Sequence, residues 1–208
     1  MRRRIGFKMK NYPTHRVGIF VDVQNIYHSA KHLYQARVNF QSLIETLAAR
    51  RSIVRAFAYV VKSDVVPGEE SFFEALEKAG FELRTKELQV FADGTKKGDW
   101  DVGIAIDAVR TAASVDTVIL ITGDGDFVPL IEYLRNLGKR VEVAAISRAA
   151  SGRLRDAADE FTEIELIPKI FIPINQKRLG RERTGPSDTP PRRGRRPFRS
   201  PRRPHPST

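Results

Sequence analysis

The chain has 208 residues, of which 41% are hydrophobic, and a formal net charge of +11, which suits one folded domain with basic extensions. It contains no cysteine, so disulfide frameworks and thiolate zinc sites are excluded. No signal-peptide pattern begins the chain and no apolar run reaches about 18 residues, so we expect a cytoplasmic protein without a membrane span.

Apolar periodicity and turn residues predict alternating strands and helices along the chain. Asn39 is the expected N-cap of the second helix, and Gly80 and Gly138 are expected to end two later ones. The segment 86–99 is polar and is predicted as a loop with a turn at Asp93. The predicted strands are 17–22, 53–61, 81–84, 117–122, 140–146 and 161–166. The predicted helices are 25–34, 40–51, 69–79, 101–113, 126–137 and 151–159.

This alternation decides the expected fold class. The strongest strands are continuously apolar, which is typical of parallel strands covered on both faces. The sequence therefore predicts a three-layer α/β/α sandwich with a mainly parallel central sheet. The strand at Val17 should lie centrally because it is apolar throughout.

The charge is concentrated at the two ends of the chain. Residues 1–16 carry six Lys/Arg and no acid, and residues 168–208 carry 12 Lys/Arg and two acids, whereas 17–167 carries 18 Lys/Arg and 23 acids. Basic arms indicate contact with a polyanion, nucleic acid first and an anionic membrane second. We expect a basic arm at 1–15, one folded domain at 16–167 and an arginine- and proline-rich disordered tail at 168–208.

Aspartates stand where the carboxyl edge of the predicted sheet should be. Asp22 ends the first strand, Asp124 and Asp126 follow the strand at 117–122, and Asp101 begins a helix. Ligands bind at this edge of open parallel sheets. Clustered carboxylates repel one another unless a cation neutralises them, and carboxylate oxygens are ligands that Mg²⁺ and Mn²⁺ prefer. The set predicts a metal site that could activate water against a phosphodiester.

Each of these residues also has a structural interpretation. A single Asp after a strand is usually a turn or N-cap residue, and Asp101 alone could serve the helix dipole. Asp99 competes with Asp101 for the helix-start position. Asp107 lies about 240° round and about 9 Å along the helix from Asp101, so we interpret it as structural.

Basic and aromatic residues close to Asp101 in sequence leave two interpretations open. Lys96, Lys97 and Arg84 could contact substrate phosphate or be solvated surface charge. Trp100 could stack on a base or pack at the start of the helix.

Four blocks carry a family resemblance: 20–27 (FVDVQNIY), 97–107 (KGDWDVGIAID), 122–127 (TGDGDF) and 154–161 (LRDAADEF). Together they resemble the signature blocks of the NYN domain, most closely its bacterial LabA-like branch, over about residues 16–166. The family belongs to the PIN-like nuclease superfamily, so the resemblance implies a Mg²⁺- or Mn²⁺-dependent ribonuclease with four or five parallel strands. This chain differs from the family in lacking the glycine that often follows the first aspartate.

Carried over residue by residue, the resemblance implies metal-binding and catalytic roles for Asp22, Asp101, Asp124 and Asp126. Asn25 matches a polar residue after the first strand and Thr122 a small hydroxyl residue before the paired acids, and Asp99 and Lys97 are kept as auxiliary residues. RNA is the expected partner of the tail, whose phosphate contacts are assigned to Arg192, Arg193, Arg195, Arg196, Arg199, Arg202 and Arg203.

Two other classes of function are weighed against a ribonuclease. A catalytically silent RNA-binding or regulatory adaptor could use the same fold. A dehalogenase-type phosphatase would need a second acid two residues after Asp22, where Gln24 stands. No phosphate-binding glycine loop is found, which disfavours ATP or dinucleotide binding. A homodimer is left open.

Overall fold

The chain's apolar runs form the strands of one sheet, and its amphipathic segments form helices on both faces. The structure, a computed structural model, describes residues 12–62, 69–90 and 96–174. In chain order the strands are β1 Arg16–Asp22, β2 Ala36–Val38, β3 Ser52–Lys62, β4 Glu82–Glu87, β5 Gln89–Val90, β6 Lys96–Lys97, β7 Thr117–Ile121, β8 Arg140–Ala145, β9 Glu160–Glu163 and β10 Phe171–Pro173. The helices are α1 Val23–Tyr34, α2 Phe40–Ala48, α3 Glu69–Lys78, α4 Asp101–Ala112, α5 Val128–Asn136 and α6 Gly152–Ala157, with 3₁₀ turns at Gly125–Phe127, Ser147–Ala149 and Ile164–Leu166.

Six strands form a fully parallel sheet in the order β4-β3-β1-β7-β8-β9. The predicted three-layer fold and the central place of the first strand are confirmed. The described sheet has six strands where the resemblance implied four or five. All six carboxyl ends lie at one edge because every pair is parallel.

Alternate residues of β1 supply the cores on the two faces of the sheet. Val17, Ile19 and Val21 pack with apolar residues of α1, α2 and α3. Phe20 faces the other way and packs with residues of α4, α5 and α6. This period of two places β1 between two apolar layers and fixes the directions in which its last residue, Asp22, can project.

Three predicted helix caps agree with the structure, whereas α2 ends at Ala48 and not at the predicted residue 51, because Ala49 and Arg50 are left-handed. The Asn39 side chain accepts a hydrogen bond from Ser42 N at 3.1 Å and caps α2. Gly80 and Gly138 follow α3 and α5 with φ of 96° and 74°, a left-handed conformation that glycine adopts without strain. These caps fix where α3 and α5 return the chain to the sheet.

The tail was predicted to begin at 168, but residues 168–174 belong to the folded chain. Phe171–Pro173 pairs antiparallel with Ala36–Val38. The ring of Phe171 stacks on Tyr34 at 4.4 Å between centroids. The boundary at 167 is therefore placed too early, because a short two-stranded sheet ties the segment to the end of α1.

The segment 86–99 is also more regular than the predicted loop. β4 runs on to Glu87 in register with β3, and Gln89–Val90 pairs antiparallel with Lys96–Lys97. The expected turn at Asp93 lies outside the described residues.

Several predicted features lie outside the described residues. These are most of the basic arm, up to residue 11, and the tail arginines Arg192, Arg193, Arg195, Arg196, Arg199, Arg202 and Arg203. In the described ranges, none of the helices has the length and apolar character needed to cross a bilayer.

Candidate metal and phosphodiester site

The carboxyl edge of the sheet brings aspartates from three separate segments together. Asp22 is the last residue of β1, which pairs with β7 in parallel register. Asp124 stands three residues beyond the end of β7, and Asp101 is the first residue of α4. The predicted convergence at this edge follows from strand direction alone.

Asp22 joins the two central loops by hydrogen bonds. Its Oδ1 accepts from Asn25 N at 3.1 Å, which caps α1, and its Oδ2 accepts from Thr122 Oγ1 at 3.3 Å. Helix α1 starts at Val23, directly after the strand, so the glycine common in the family is not needed for the turn. The side chain of Asp22 therefore caps α1 and at the same time lies at the carboxyl edge of the sheet.

Asn25 and Thr122 organise the loop that carries the paired acids. Gly123 N donates to Asn25 Oδ1 at 2.8 Å, and Asp124 N donates to Thr122 Oγ1 at 3.2 Å. Asp126 N in turn donates to Asp124 Oδ1 at 2.9 Å. The loop is thus fastened to the end of β1, and the auxiliary residues act here through hydrogen bonds.

Burial and mutual repulsion raise the pKa of two of these carboxyl groups. For Asp22 burial is the main cause, and the charges of Asp101 and Asp124 add to it against two hydrogen bonds. Burial likewise raises the pKa of Asp101, together with repulsion from Asp124, Asp99 and Asp126. The carboxylates therefore feel one another's charge across the edge.

The donor set fits a hard divalent cation by its chemistry. Carboxylate oxygens are the ligands of Mg²⁺ and Mn²⁺, and a cation would relieve the repulsion just described. Within the described part of the chain, however, no three acidic or histidine side chains are grouped closely enough to hold a metal as they stand. The structure brings the four aspartates to one edge without assembling a finished coordination sphere.

The two acids that competed for the helix start differ in their surroundings. Asp101 is half-buried, whereas Asp99 is exposed. Asp101 is among the charges that raise the pKa of Asp22, and Asp99 is not. Asp101 is thus the better ligand candidate. Lys97 lies in β6, and its side chain falls outside what the structure describes.

Asp107 has the structural role expected of it. Its Oδ2 accepts from Tyr59 Oη at 3.0 Å and from Arg84 Nε at 3.3 Å. The buried phenol has a raised pKa because of burial and the charge of Asp107. The network fastens α4 to β3 and β4, and it commits Arg84 to a protein partner.

Trp100 packs at the start of α4. Its Nε1 donates to Val60 O at 2.9 Å, and its ring lies 5.3 Å from that of Tyr59. The ammonium nitrogen of Lys86 lies over the indole, 4.7 Å from the centroid. Lys86 was not among the predicted site residues, because this strand was predicted to end at Arg84. The alternation of residues along a strand, which puts Arg84 and Lys86 on one face, was the signal that could have found it.

Comparisons with known proteins agree with this fold. The NYN domain family matches residues 16–165. The chain is 28% identical over 160 residues to the low amplitude and bright protein LabA of Synechococcus elongatus, covering 72% of this chain and 83% of that protein. It is 25% identical over 152 residues to an uncharacterized protein of Methanocaldococcus jannaschii, covering 72% of this chain and 55% of that one.

A solved structure shares the architecture. It is the crystal structure of a protein of unknown function from Vibrio parahaemolyticus, with 34% sequence identity and a TM-score of 0.71, and the match covers 79% of this chain and 100% of that one. The predicted resemblance is thereby confirmed, including its LabA-like character. The chain belongs to the NYN domain family and, through it, to the PIN-like nuclease superfamily.

Proposed function

We propose that the chain is a metal-dependent ribonuclease that hydrolyses RNA phosphodiester bonds at the carboxyl edge of its sheet. The observation that carries the proposal is that Asp22, Asp101 and Asp124 come from three segments to one edge of the sheet. The charges of Asp101 and Asp124 raise the pKa of Asp22 there. Membership of a nuclease superfamily supports it.

In this proposal the four aspartates, with Asp126 the most exposed of them, hold Mg²⁺ or Mn²⁺. Such an ion supplies an activated water and stabilises charge that develops on the phosphate. Asn25 and Thr122 are positioning residues, because they fix the loop that carries the paired acids to the end of β1. Asp99 stands beside Asp101 as an exposed auxiliary carboxylate, and Lys97 is kept as an auxiliary cation.

The basic tail completes the proposal. The segment 17–167 has an excess of five acidic residues, so affinity for a polyanion must come from elsewhere. The arginines beyond residue 175 are inferred to bind RNA phosphates without reading sequence. A cytoplasmic location remains our prediction.

A second candidate is a catalytically silent adaptor that binds RNA with the same fold. It is favoured by the lack, among described residues, of a ready group of three metal-binding side chains. An adaptor would keep the tail's affinity for RNA and would be indifferent to the metal.

The test is incubation of the purified full chain with end-labelled single-stranded RNA and with DNA of the same sequence, in Mg²⁺, in Mn²⁺ and in chelator. We expect metal-dependent shortening of the RNA and none in chelator. RNA that is bound but stays intact under all three conditions would exclude the nuclease and leave the adaptor.

A further inference from the structure

The acidic edge also carries a cation on strand β4. Lys86 is the second-last residue of β4 and lies in register with Val61 of β3. Arg84, two residues earlier, reaches Asp107 in the middle of α4. Since alternate residues of a strand share a face, Lys86 lies on the same side of the sheet as Arg84, one step nearer the start of α4.

Lys86 is held in place by an aromatic ring. Its Nζ lies 4.7 Å from the ring centroid of Trp100, and that indole is fixed by the hydrogen bond to Val60 O at 2.9 Å. A cation–π contact leaves the positive charge uncancelled and the N–H groups able to donate. Among the described residues, Lys86 has no carboxylate partner in an ion pair.

Two other cations, one on the same strand and one on α3, are paired with carboxylates. Arg84 is bound to Asp107, and Lys78 pairs with Glu74 at 3.1 Å. Lys86 differs from these two in having no carboxylate partner among the described residues, so its charge is available to an outside anion.

Lys86 lies beside the start of α4. It contacts the ring of Trp100, the residue directly before Asp101, with which the helix begins. A phosphate next to Asp101 would meet a cation at this flank of an otherwise acidic edge.

We propose that Lys86, held on the face of Trp100, binds a phosphate of the RNA strand beside the aspartate cluster. The inference rests on the proposed function for the identity of the strand. A lysine makes this contact as a point charge with several donors, so it would position the backbone without reading the base.

The experiment compares Lys86→Met and Lys86→Arg in the full chain, with Lys78→Met as the matched control on an exposed helix. Binding of a labelled single-stranded RNA is measured against salt concentration in chelator, and cleavage kinetics are measured in Mg²⁺. Lys86→Met should weaken binding by about tenfold, as expected for loss of one charge-assisted contact. It should also lower the salt slope by about 0.7 and raise KM. Lys86→Arg should retain most of the affinity, and Lys78→Met should match the parent.

Each outcome decides the assignment. Unchanged affinity and slope in Lys86→Met would overturn it. Equal losses in the Met and Arg variants, accompanied by a lower unfolding temperature in both, would show a packing role and also overturn it. If the parent binds RNA without cleaving it and Lys86→Met still loses affinity and slope, the nuclease proposal fails while the Lys86 assignment stands. If the parent cleaves RNA and the KM of Lys86→Met is unchanged, the nuclease proposal stands and the Lys86 assignment fails.

Discussion

Gly103 should be unable to carry a side chain, because the indole of Trp100 occupies the space. A Cβ at this position would lie 2.6 Å and 3.0 Å from Cε3 and Cζ3 of Trp100. The ring cannot simply swing aside, since it is hydrogen-bonded to Val60 and packed between Tyr59 and Lys86. Gly103→Ala therefore adds a methyl group to a fixed contact at the start of α4.

Two opposing effects set the size of the change. Replacing glycine by alanine inside a helix favours folding by about 1 kcal/mol. Overpacking of a fixed neighbour costs about 1–3 kcal/mol, and loss of the indole hydrogen bond would add about 1 kcal/mol. We expect net destabilisation of about 1–3 kcal/mol. RNA binding should also weaken, because displacement of Trp100 moves the ring under Lys86 and the turn before Asp101.

The assay is urea-induced unfolding of the full chain, with Gly152→Ala as the matched control. Gly152 also lies in the first turn of a helix, as the first residue of α6, and a Cβ there would meet nothing within 4 Å. Gly152→Ala should stabilise the protein by about 0.4–1 kcal/mol. If Gly103→Ala stabilises by the same amount and binds RNA like the parent, Trp100 is not fixed as argued.

Three other predictions follow. Burial raises the pKa of Asp22, so the folded state binds the proton of this carboxyl group more tightly than the unfolded chain does. The stability that the protonated group contributes is therefore lost as pH rises through the raised pKa. Asp22→Asn should therefore be more stable than the parent at pH 7 in chelator, with the gap closing toward about pH 4, and should not cleave RNA. Arg51→Met should cost about 1–3 kcal/mol in urea unfolding, because its guanidinium binds both oxygens of Glu142 at 2.9 and 2.8 Å in a buried site, where Arg140 stays paired with Glu142. Deleting 175–208 should raise KM with little change in kcat and should flatten the salt dependence of RNA binding.

These predictions have separate failure points. A pH-independent difference between Asp22→Asn and the parent would contradict the burial argument. Arg55→Met removes an exposed pair with Glu82 at 2.9 Å, which should cost about 0–1 kcal/mol. An Arg51→Met loss no larger than that would show that the buried pair contributes little. Equal salt slopes with and without residues 175–208 would show that the tail does not touch RNA.

The sheet and its layers could be predicted because their signals are local. The apolar run of β1 and the caps at Asn39, Gly80 and Gly138 are each visible within a few residues of sequence. Because the strands are parallel, the end of β1 and the loop after β7 that carries Asp124 and Asp126 lie at one edge by topology alone. This is why the position of the aspartates could be predicted without the structure.

The features that escaped prediction depend on long-range contacts or on weak patterns. The pairing of Ala36–Val38 with Phe171–Pro173 joins two segments of three residues that lie far apart in the chain, so neither has a periodicity of its own. The end of β4, with Lys86, was missed because it is an edge strand, and edge strands tolerate charged residues that hide the apolar pattern. The bond between Asn25 and Gly123 likewise exists only in the folded chain.

The central claim is that the aspartates at the carboxyl edge support hydrolysis, and it is tested most directly by the initial rate of Mg²⁺-dependent RNA cleavage in two matched variants. Asp124→Asn changes an acid at that edge, whereas Asp116→Asn changes one that precedes β7 at the opposite edge and pairs with Arg16 at 3.2 Å. We predict that Asp124→Asn folds like the parent and falls to the rate seen in chelator, while Asp116→Asn keeps the parent rate. Cleavage by Asp124→Asn at the parent rate would contradict the account.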